Sequence, residues 1–248
     1  MIKRTLYIIL ISLLSFSAFA QLPAKQENNA GFRSEWFGGL ILHTSGWGVN
    51  LTKGKFKTYK RYNLYSFDLV NLKHRKEFRI RYITDPDNPT KSFKYGKLNT
   101  FYNARFSYGQ QRMLFEKQRE KGVEVYFNWK TGLNLGMLKP IYLEVINSET
   151  GIGRVEEKYD PNKHNESNIY GKGKFSSGFN DLKLIPGAHI KGGFKFELAK
   201  KREKILAVET GIIIDVFPTK VAILADQKED ILFYNFYINV LFGKKYYD

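Results

Sequence analysis

The chain has no cysteine among its 248 residues. That removes disulfide frameworks, thiol nucleophiles, thiolate-ligated zinc, iron–sulfur clusters, haem thioethers and a lipidated N-terminal cysteine. Acidic residues are scarce beside basic ones, 24 Asp and Glu against 40 Lys and Arg, so the formal charge is +16 and the favoured partners are anionic: nucleic acid or anionic lipid. Beyond the first twenty residues no apolar run has the length of a spanning helix. No His-Glu-x-x-His, Gly-x-Ser-x-Gly or phosphate-binding glycine loop occurs, and Gly151-Ile152-Gly153 lacks the strand-to-helix context of a nucleotide fingerprint.

What is present is apolar and aromatic. A hydrophobic content of 43% excludes wholesale disorder, and 16% aromatic residues are too many for an ordinary soluble helical domain. Lys3 and Arg4 precede a short apolar core from Leu6 to Leu14, and Ala18-Phe19-Ala20 before Gln21 fits a small-residue cleavage rule. Residues 1–20 therefore read as a secretory signal peptide cleaved after Ala20, and losing Lys3 and Arg4 takes the charge from +16 to +14. An exported protein seldom meets nucleic acid, which leaves anionic lipid headgroups, lipopolysaccharide included, as the natural counter-charge.

The rest of the chain alternates with period two in segments of about ten residues. Tyr102, Ala104, Phe106 and Tyr108 alternate with Asn103, Arg105 and Ser107. The same pattern runs through Val123–Leu135, Leu184–Leu198, Leu206–Val216 and Leu232–Phe242, and more faintly near Glu35–His43, Trp47–Lys57 and Tyr62–Lys73. With Leu98–Tyr108 these make eight strands. Alternation alone also suits a soluble sandwich or a lipocalin-like barrel. The polar face decides: Asp68, Arg105, Glu124, Lys130, Lys191, Glu209 and Asp215 interleave with Gly and Asn, as in a narrow lumen filled by an ion-paired polar network, while the aromatic face meets lipid.

Loop lengths agree with that orientation. The second, fourth and sixth connections (Thr58–Arg61, Gly109–Gly122, Ala199–Lys204) are short, and the third, fifth and seventh (His74–Lys97, Lys139–Lys183, Pro218–Ile231) are long. Only the first, Thr44–Gly46, breaks the rule of short periplasmic turns and long outer loops. The fifth connection, with turn signals at Asp160-Pro161, Gly171, Gly173 and Gly178, suits a two-stranded protrusion; Lys139–Ile146 could equally be a ninth strand needing a tenth. The expected fold is all-β: a transmembrane antiparallel up-and-down β-barrel of eight strands, ten possible, with long extracellular loops. Residues 21–33 read as a periplasmic lead-in and 34–248 as the barrel. At the C-terminus Phe233–Phe242 alternates and Tyr246-Tyr247 supplies penultimate aromatics, suiting outer-membrane assembly.

Several short segments carry a resemblance: Gly38-Gly39-Leu40 through Gly46-Trp47-Gly48, Asp68-Leu69-Val70 to His74, Tyr95-Gly96-Lys97-Leu98-Asn99, Leu138-Lys139-Pro140, Asn168-Ile169-Tyr170-Gly171, Pro186-Gly187 and Gly243-Lys244-Lys245-Tyr246-Tyr247. Together they look like a family of small outer-membrane β-barrel proteins of Bacteroidota. The resemblance implies residence in the outer membrane and a place as accessory barrel of an envelope machine, such as β-barrel assembly or type IX secretion. It carries no residue-level roles.

Small outer-membrane barrels include enzymes, so the histidines matter. His164 lies in a loop with Asp160, Glu166 and Ser167, which superficially offers nucleophile, base and orienter. Spacing within one loop does not establish that geometry, and a solvated polar loop is the plainer reading. His189, on the polar face beside Lys191, reads as a satisfied interior residue; His43 and His74 stand near the outer rim. No catalytic, cofactor-binding or metal-ligating set emerges. Basic clusters occur at Lys53, Lys55, Lys57, Lys60 and Arg61; at Lys73, His74, Arg75, Lys76, Arg79 and Arg81; and at Lys200, Lys201, Arg202 and Lys204. They suit headgroup contacts at the membrane rim, lipopolysaccharide phosphates outside, or acidic protein partners inside.

The expected role is non-enzymatic: an accessory or structural subunit of a multiprotein outer-membrane complex. A small-solute channel and a lipid A-modifying enzyme are the alternatives. The long fifth connection is too rich in apolar residues for simple disorder, and Tyr159, Ile169, Tyr170, Phe175 and Phe179 are its candidate partner-docking side chains.

Overall fold

A computed structural model describes residues 32–80, 92–117, 122–146, 153–164, 168–199, 201, 203–225 and 230–247. The signal-peptide segment and most of the lead-in lie outside the described residues. Phe32 and Arg33, expected in the lead-in, are the first residues of strand β1. The strands are β1 (Phe32–His43), β2 (Gly46–Thr58), β3 (Arg61–Leu72), β4 (Asn99–Phe115), β5 (Glu124–Pro140), β6 (Tyr142–Ile146), β7 (Arg154–Lys158), β8 (Ile169–Lys172), β9 (Lys183–Glu197), β10 (Lys204–Val221) and β11 (Asp230–Tyr247).

Eight of these close into an antiparallel barrel in the order β1-β11-β10-β9-β5-β4-β3-β2. Neighbours in the ring are also neighbours in sequence, except that β5 steps to β9 over the inserted strands, and β11 closes the ring on β1. Because side chains alternate across a strand, each strand turns one row inward and one outward. Leu40, Leu133, Ile190, Phe194, Ile212, Phe236 and Phe242 are among the large side chains left exposed on the outside, Leu133 at 71% and Phe236 at 67%. An outward apolar face carried round every strand belongs against lipid, not water.

The connections from β2 to β3, β4 to β5 and β9 to β10 lie at the end where β1 begins and β11 ends, and the two-residue β1–β2 turn lies at the other. The end where β1 begins is the turn end; the other is the cap end. The fourth connection is shorter than expected because β4 continues through Gln110, Gln111 and Arg112 to Phe115, paired with β5 throughout. Polar outward residues there end the apolar alternation without ending the ladder. Lys139–Ile146 is no ninth barrel strand. β5 ends at Pro140, and β6 turns away to centre a separate three-stranded sheet, β7-β6-β8, one strand more than the expected protrusion.

Two apolar layers seal the lumen. At the turn end Phe37, Tyr62, Leu64, Met113, Tyr126, Ile205, Ala207 and Leu241 pack together; at the cap end Ile41, Leu72, Phe101, Leu138, Ile213, Phe217 and Tyr237 do. These inward residues sit on the nominally polar face, so the lumen is layered where the sequence suggested a uniformly polar filling. Small residues make room for large ones opposite, as a narrow barrel requires. At Gly193 a Cβ would stand 2.6 Å from the Tyr237 hydroxyl and 2.5 Å from the Thr210 carbonyl oxygen.

Candidate functional site

Between the apolar layers lies a band of fully enclosed charge. Arg105 on β4 reaches across the lumen to Asp215 on β10, donating from Nε to Oδ1 at 2.7 Å and from Nη2 to Oδ2 at 2.8 Å. This two-pronged geometry is the strongest form of the pair. Asn134 at 2.9 Å and Asn103 at 3.2 Å donate to the same Oδ1. One layer toward the turn end, Lys191 Nζ stands 3.3 Å from Asp68 and 3.6 Å from Glu209, and Lys130 Nζ stands 3.8 Å from Glu209. Asn50 donates to Asp68, and the Tyr237 hydroxyl donates to Glu209 at 2.7 Å. Of the residues singled out from the sequence, Asp68, Arg105, Lys130, Lys191, Glu209 and Asp215 meet in this band. Glu124 does not; it lies at the turn end, accepting from the Tyr126 hydroxyl at 2.6 Å with Lys117 Nζ at 3.9 Å.

A second ionic group at the turn end escaped the sequence reading. Lys195 Nζ lies 3.6 Å from Glu197 and 4.0 Å from Glu35, and Lys245 donates to Glu197 at 2.6 Å. The Lys195 ammonium also sits 4.4 Å over the Phe37 ring. Lys195 and Glu197 were visible as inward positions of their strand, but Glu35 and Lys245 lie where alternation fades near the chain ends. Only the β1–β11 register, Glu35 opposite Lys245, brings them together. Across both groups, the buried carboxylates Glu35, Asp68, Glu124, Glu197, Glu209 and Asp215 face Arg105, Lys130, Lys191, Lys195 and the largely buried Lys245. Charge inside the barrel is nearly balanced.

His189 joins the first group. Its Nε2 is 2.8 Å from Ser107 Oγ and its Nδ1 is 2.5 Å from Asn134 Oδ1. The order resembles nucleophile, base and orienter, yet all three side chains are buried between the apolar layers and Asn134 passes the chain on to the Arg105–Asp215 pair. His189 thus links Ser107 to that pair through Asn134. In the loop, His164 Nδ1 accepts from the Asp160 backbone N–H at 3.0 Å and its Nε2 lies 3.4 Å from Glu157, so the ring ties a turn; Glu166 and Ser167 lie outside the described residues. His43 Nδ1 takes the Ser45 N–H and His74 Nδ1 the Lys76 N–H. Among the described residues no group of three or more His, Asp or Glu is placed to hold a metal ion.

The cap has its own core: Phe93, Leu143, Val145, Tyr159 and Ile169 are buried, with Tyr95, Leu98 and Ile141 packed against them. Of the candidate docking side chains, Tyr159 and Ile169 are thus internal to the cap, and Tyr170 lies under the Arg154 guanidinium at 3.4 Å. Phe175 and Phe179 remain exposed at 63% and 49%, edge to face at 5.6 Å. The basic cluster at Lys53–Arg61 lies on β2 and its turn, and Lys201 and Lys204 lie in the next turn but one at the same end; Lys200, Arg202 and Arg81 lie outside the described residues. The Lys73–Arg79 cluster is at the cap end.

No family model matches the chain, and no curated protein is similar to it. Among solved structures, Neisserial surface protein A is 9% identical over 88% of this chain and 98% of its own, with a TM-score of 0.41. The N-terminal β-barrel domain of Pseudomonas aeruginosa OprF is likewise 9% identical, over 86% and 98%, with a TM-score of 0.39. Likeness at that level transfers no role to this chain, whose own residues must supply one.

Proposed function

We propose that the protein is exported by its N-terminal signal segment, resides in the outer membrane with the cap outside, and serves as a non-enzymatic accessory subunit of a multiprotein outer-membrane complex. The observation that carries this reading is the contrast between a closed interior and an open exterior. Eight strands leave a lumen just wide enough for side chains to fill, and here buried ion pairs lie between two apolar layers, which argues against a solute path. The cap, by contrast, is a folded sheet that leaves Phe175 and Phe179 exposed. A sealed barrel with an ordered exterior sheet suits a platform better than a pore. The resemblance to small barrels of Bacteroidota favours an assembly or secretion machine as the setting.

Mild-detergent affinity purification of the full-length protein tests the reading, read as a stoichiometric complex on native gels. Leu138 and Lys183 are paired neighbours on β5 and β9, so a short Gly/Ser link replacing residues 142–181 bridges the gap without touching the barrel's cap-end core. The expected result is a heat-modifiable barrel that has lost its partners. Large, stable conductance steps in planar bilayers, or a protein that runs alone from native membranes, would overturn it.

A further inference from the structure

At the cap end the described parts of the connection from β3 to β4, the end of β5 and the segment after β8 line a pocket of about 380 Å³. That size is in the range of small-molecule sites. Its walls are basic from every side. Lys97 and Lys139 are buried in it, at 4% and 5% exposure, and Lys73, Arg79, Lys94, Lys172 and Lys174 complete the lining. Among the described residues none of those lining it is acidic. Carboxylates next to the walls are already engaged: Glu77 accepts from Lys94 and, at 2.9 Å, from Lys97, Glu156 accepts from the Lys174 backbone N–H at 2.8 Å, and Asp181 accepts from the Tyr142 hydroxyl.

Lys139 is the informative member. Its ammonium donates to the Phe175 carbonyl and sits 4.0 Å and 4.1 Å from the centres of the Phe175 and Phe179 rings. A carbonyl and two ring faces stabilise a cation without supplying a counter-charge. Among the described residues, seven cationic groups therefore line a partly enclosed space in which Glu77 is ion-paired with two of them, while Glu156 and Asp181 are bonded to a backbone N–H and a tyrosine hydroxyl at its edge. Concentrating like charge in a concave, partly dehydrated site costs energy unless an anion fills it. Tyr102, Tyr142 and Phe175 add aromatic surface to the same walls, which suits a ligand with a ring beside its charge.

We propose that this pocket binds a phosphate-bearing ligand, a phosphorylated sugar or glycolipid headgroup whose phosphate lies between Lys97, Lys139 and the Lys172–Lys174 segment. Phosphate fits the walls because it carries close to two negative charges and three acceptor oxygens, enough to engage lysines arriving from separate segments. Such a pocket serves a barrel working alone as well as one held in a complex. Its ligand has two possible sources, a membrane glycolipid or a soluble phosphate compound.

Calorimetric titration of the full-length protein in non-ionic detergent separates them. The probes are pyrophosphate, bisphosphorylated lipid A in mixed micelles, and the same lipid with its phosphates removed. Wild type is expected to bind at least one phosphorylated probe about tenfold or more tightly than the dephosphorylated lipid, and Lys172→Glu/Lys174→Glu is expected to weaken that binding by about tenfold or more, the loss of charge-assisted hydrogen bonds. Both lysines are exposed, so the variant should stay heat-modifiable on gels; Lys139→Met is the second variant, with the same expected loss. Tight binding of the lipid assigns a headgroup ligand, and binding of pyrophosphate without the lipid assigns a soluble one. Equal binding of phosphorylated and dephosphorylated lipid with no response to pyrophosphate, or folded variants that bind as wild type does, would overturn the proposal.

Discussion

Lys191 and Lys97 are both buried lysines, and their surroundings divide the molecule. Lys191, in the lumen, has carboxylates of Asp68 and Glu209 within 3.6 Å and the face of Tyr237 beneath it. Lys97, at the rim, has Glu77, which it shares with Lys94, and otherwise a pocket whose walls are positive. Burial is nearly equal. Compensation is not, and compensation separates a group that holds a fold together from one poised to meet something else. The lumen is closed in charge as well as in space; the rim is open in both.

The largest effect is expected where lumen balance is broken. Asp215→Ala leaves the Arg105 guanidinium enclosed without its carboxylate, and removing one partner of a buried pair costs about 3–5 kcal/mol. Urea denaturation in detergent, followed by heat-modifiability, should show that loss. Arg105→Leu/Asp215→Leu should recover most of it, because the charge and its counter-charge leave together. If the single variant is as stable as wild type, the lumen pair is not structural and the contrast with the rim collapses.

A smaller effect is expected at the rim, and its sign sharpens the contrast. Burial pushes Lys97 down to about 8, opposed by Glu77, while Lys94 adds to the lowering. Glu77 resists its own burial because Lys94 and Lys97 hold its carboxyl below the usual range, so it stays charged. An anion in the pocket favours protonated Lys97. Its contribution to binding is therefore complete well below pH 8 and is lost progressively as the pH rises above that value, toward the higher one an anion gives it. Pyrophosphate titrations should weaken several-fold between about pH 7 and pH 9.5, by roughly 1 kcal/mol for one charge-assisted bond. Lys97→Arg, which does not titrate in this range, should flatten the profile.

The smallest effect is expected at Ser107. Ser107→Ala removes one hydrogen bond to the buried His189 and should cost about 1 kcal/mol of barrel stability, the low end of the range for a group left unpaired, read from the same urea curves, with complex formation unchanged. Were the variant instead to abolish an ester-hydrolysing activity of the wild-type barrel, the Ser107–His189–Asn134 series would be catalytic and the enzyme alternative restored.

The barrel was legible because it is written locally. Leu133 and Phe236 are exposed on the outside, and Lys130 and Asn235 enclosed, because period two assigns each residue to a face before any partner is known. Strand ends were less legible: from Gln110 to Arg112 both faces are polar while the ladder continues. Cap strands were harder still, since Arg154–Lys158 has a single apolar residue and no alternation to follow. The ionic band could be drawn up from parity alone, but not its pairings. Arg105 and Asp215 are far apart in sequence and meet only across the lumen. The rim pocket was half visible, in the basic run after β3. Its other half, Lys139 with Lys172 and Lys174, comes from segments that only the turn of the chain at Pro140 carries to the same place.

The seam between β1 and β11 has a consequence in time. Leu40 opposite Val240 and Phe32 stacked on Tyr247 at 4.1 Å join the two ends of the described chain, contacts of the greatest sequence separation the fold contains. Such contacts form slowly, because nearly the whole chain must be ordered before they reward closure. Until they form, β1 and β11 are open edges whose backbone groups find no partner in lipid. A chain short of its last strand has no stable partial barrel to rest in. Insertion and closure are thereby coupled into one late step, and anything that holds the β1 edge before β11 arrives controls whether the protein assembles at all.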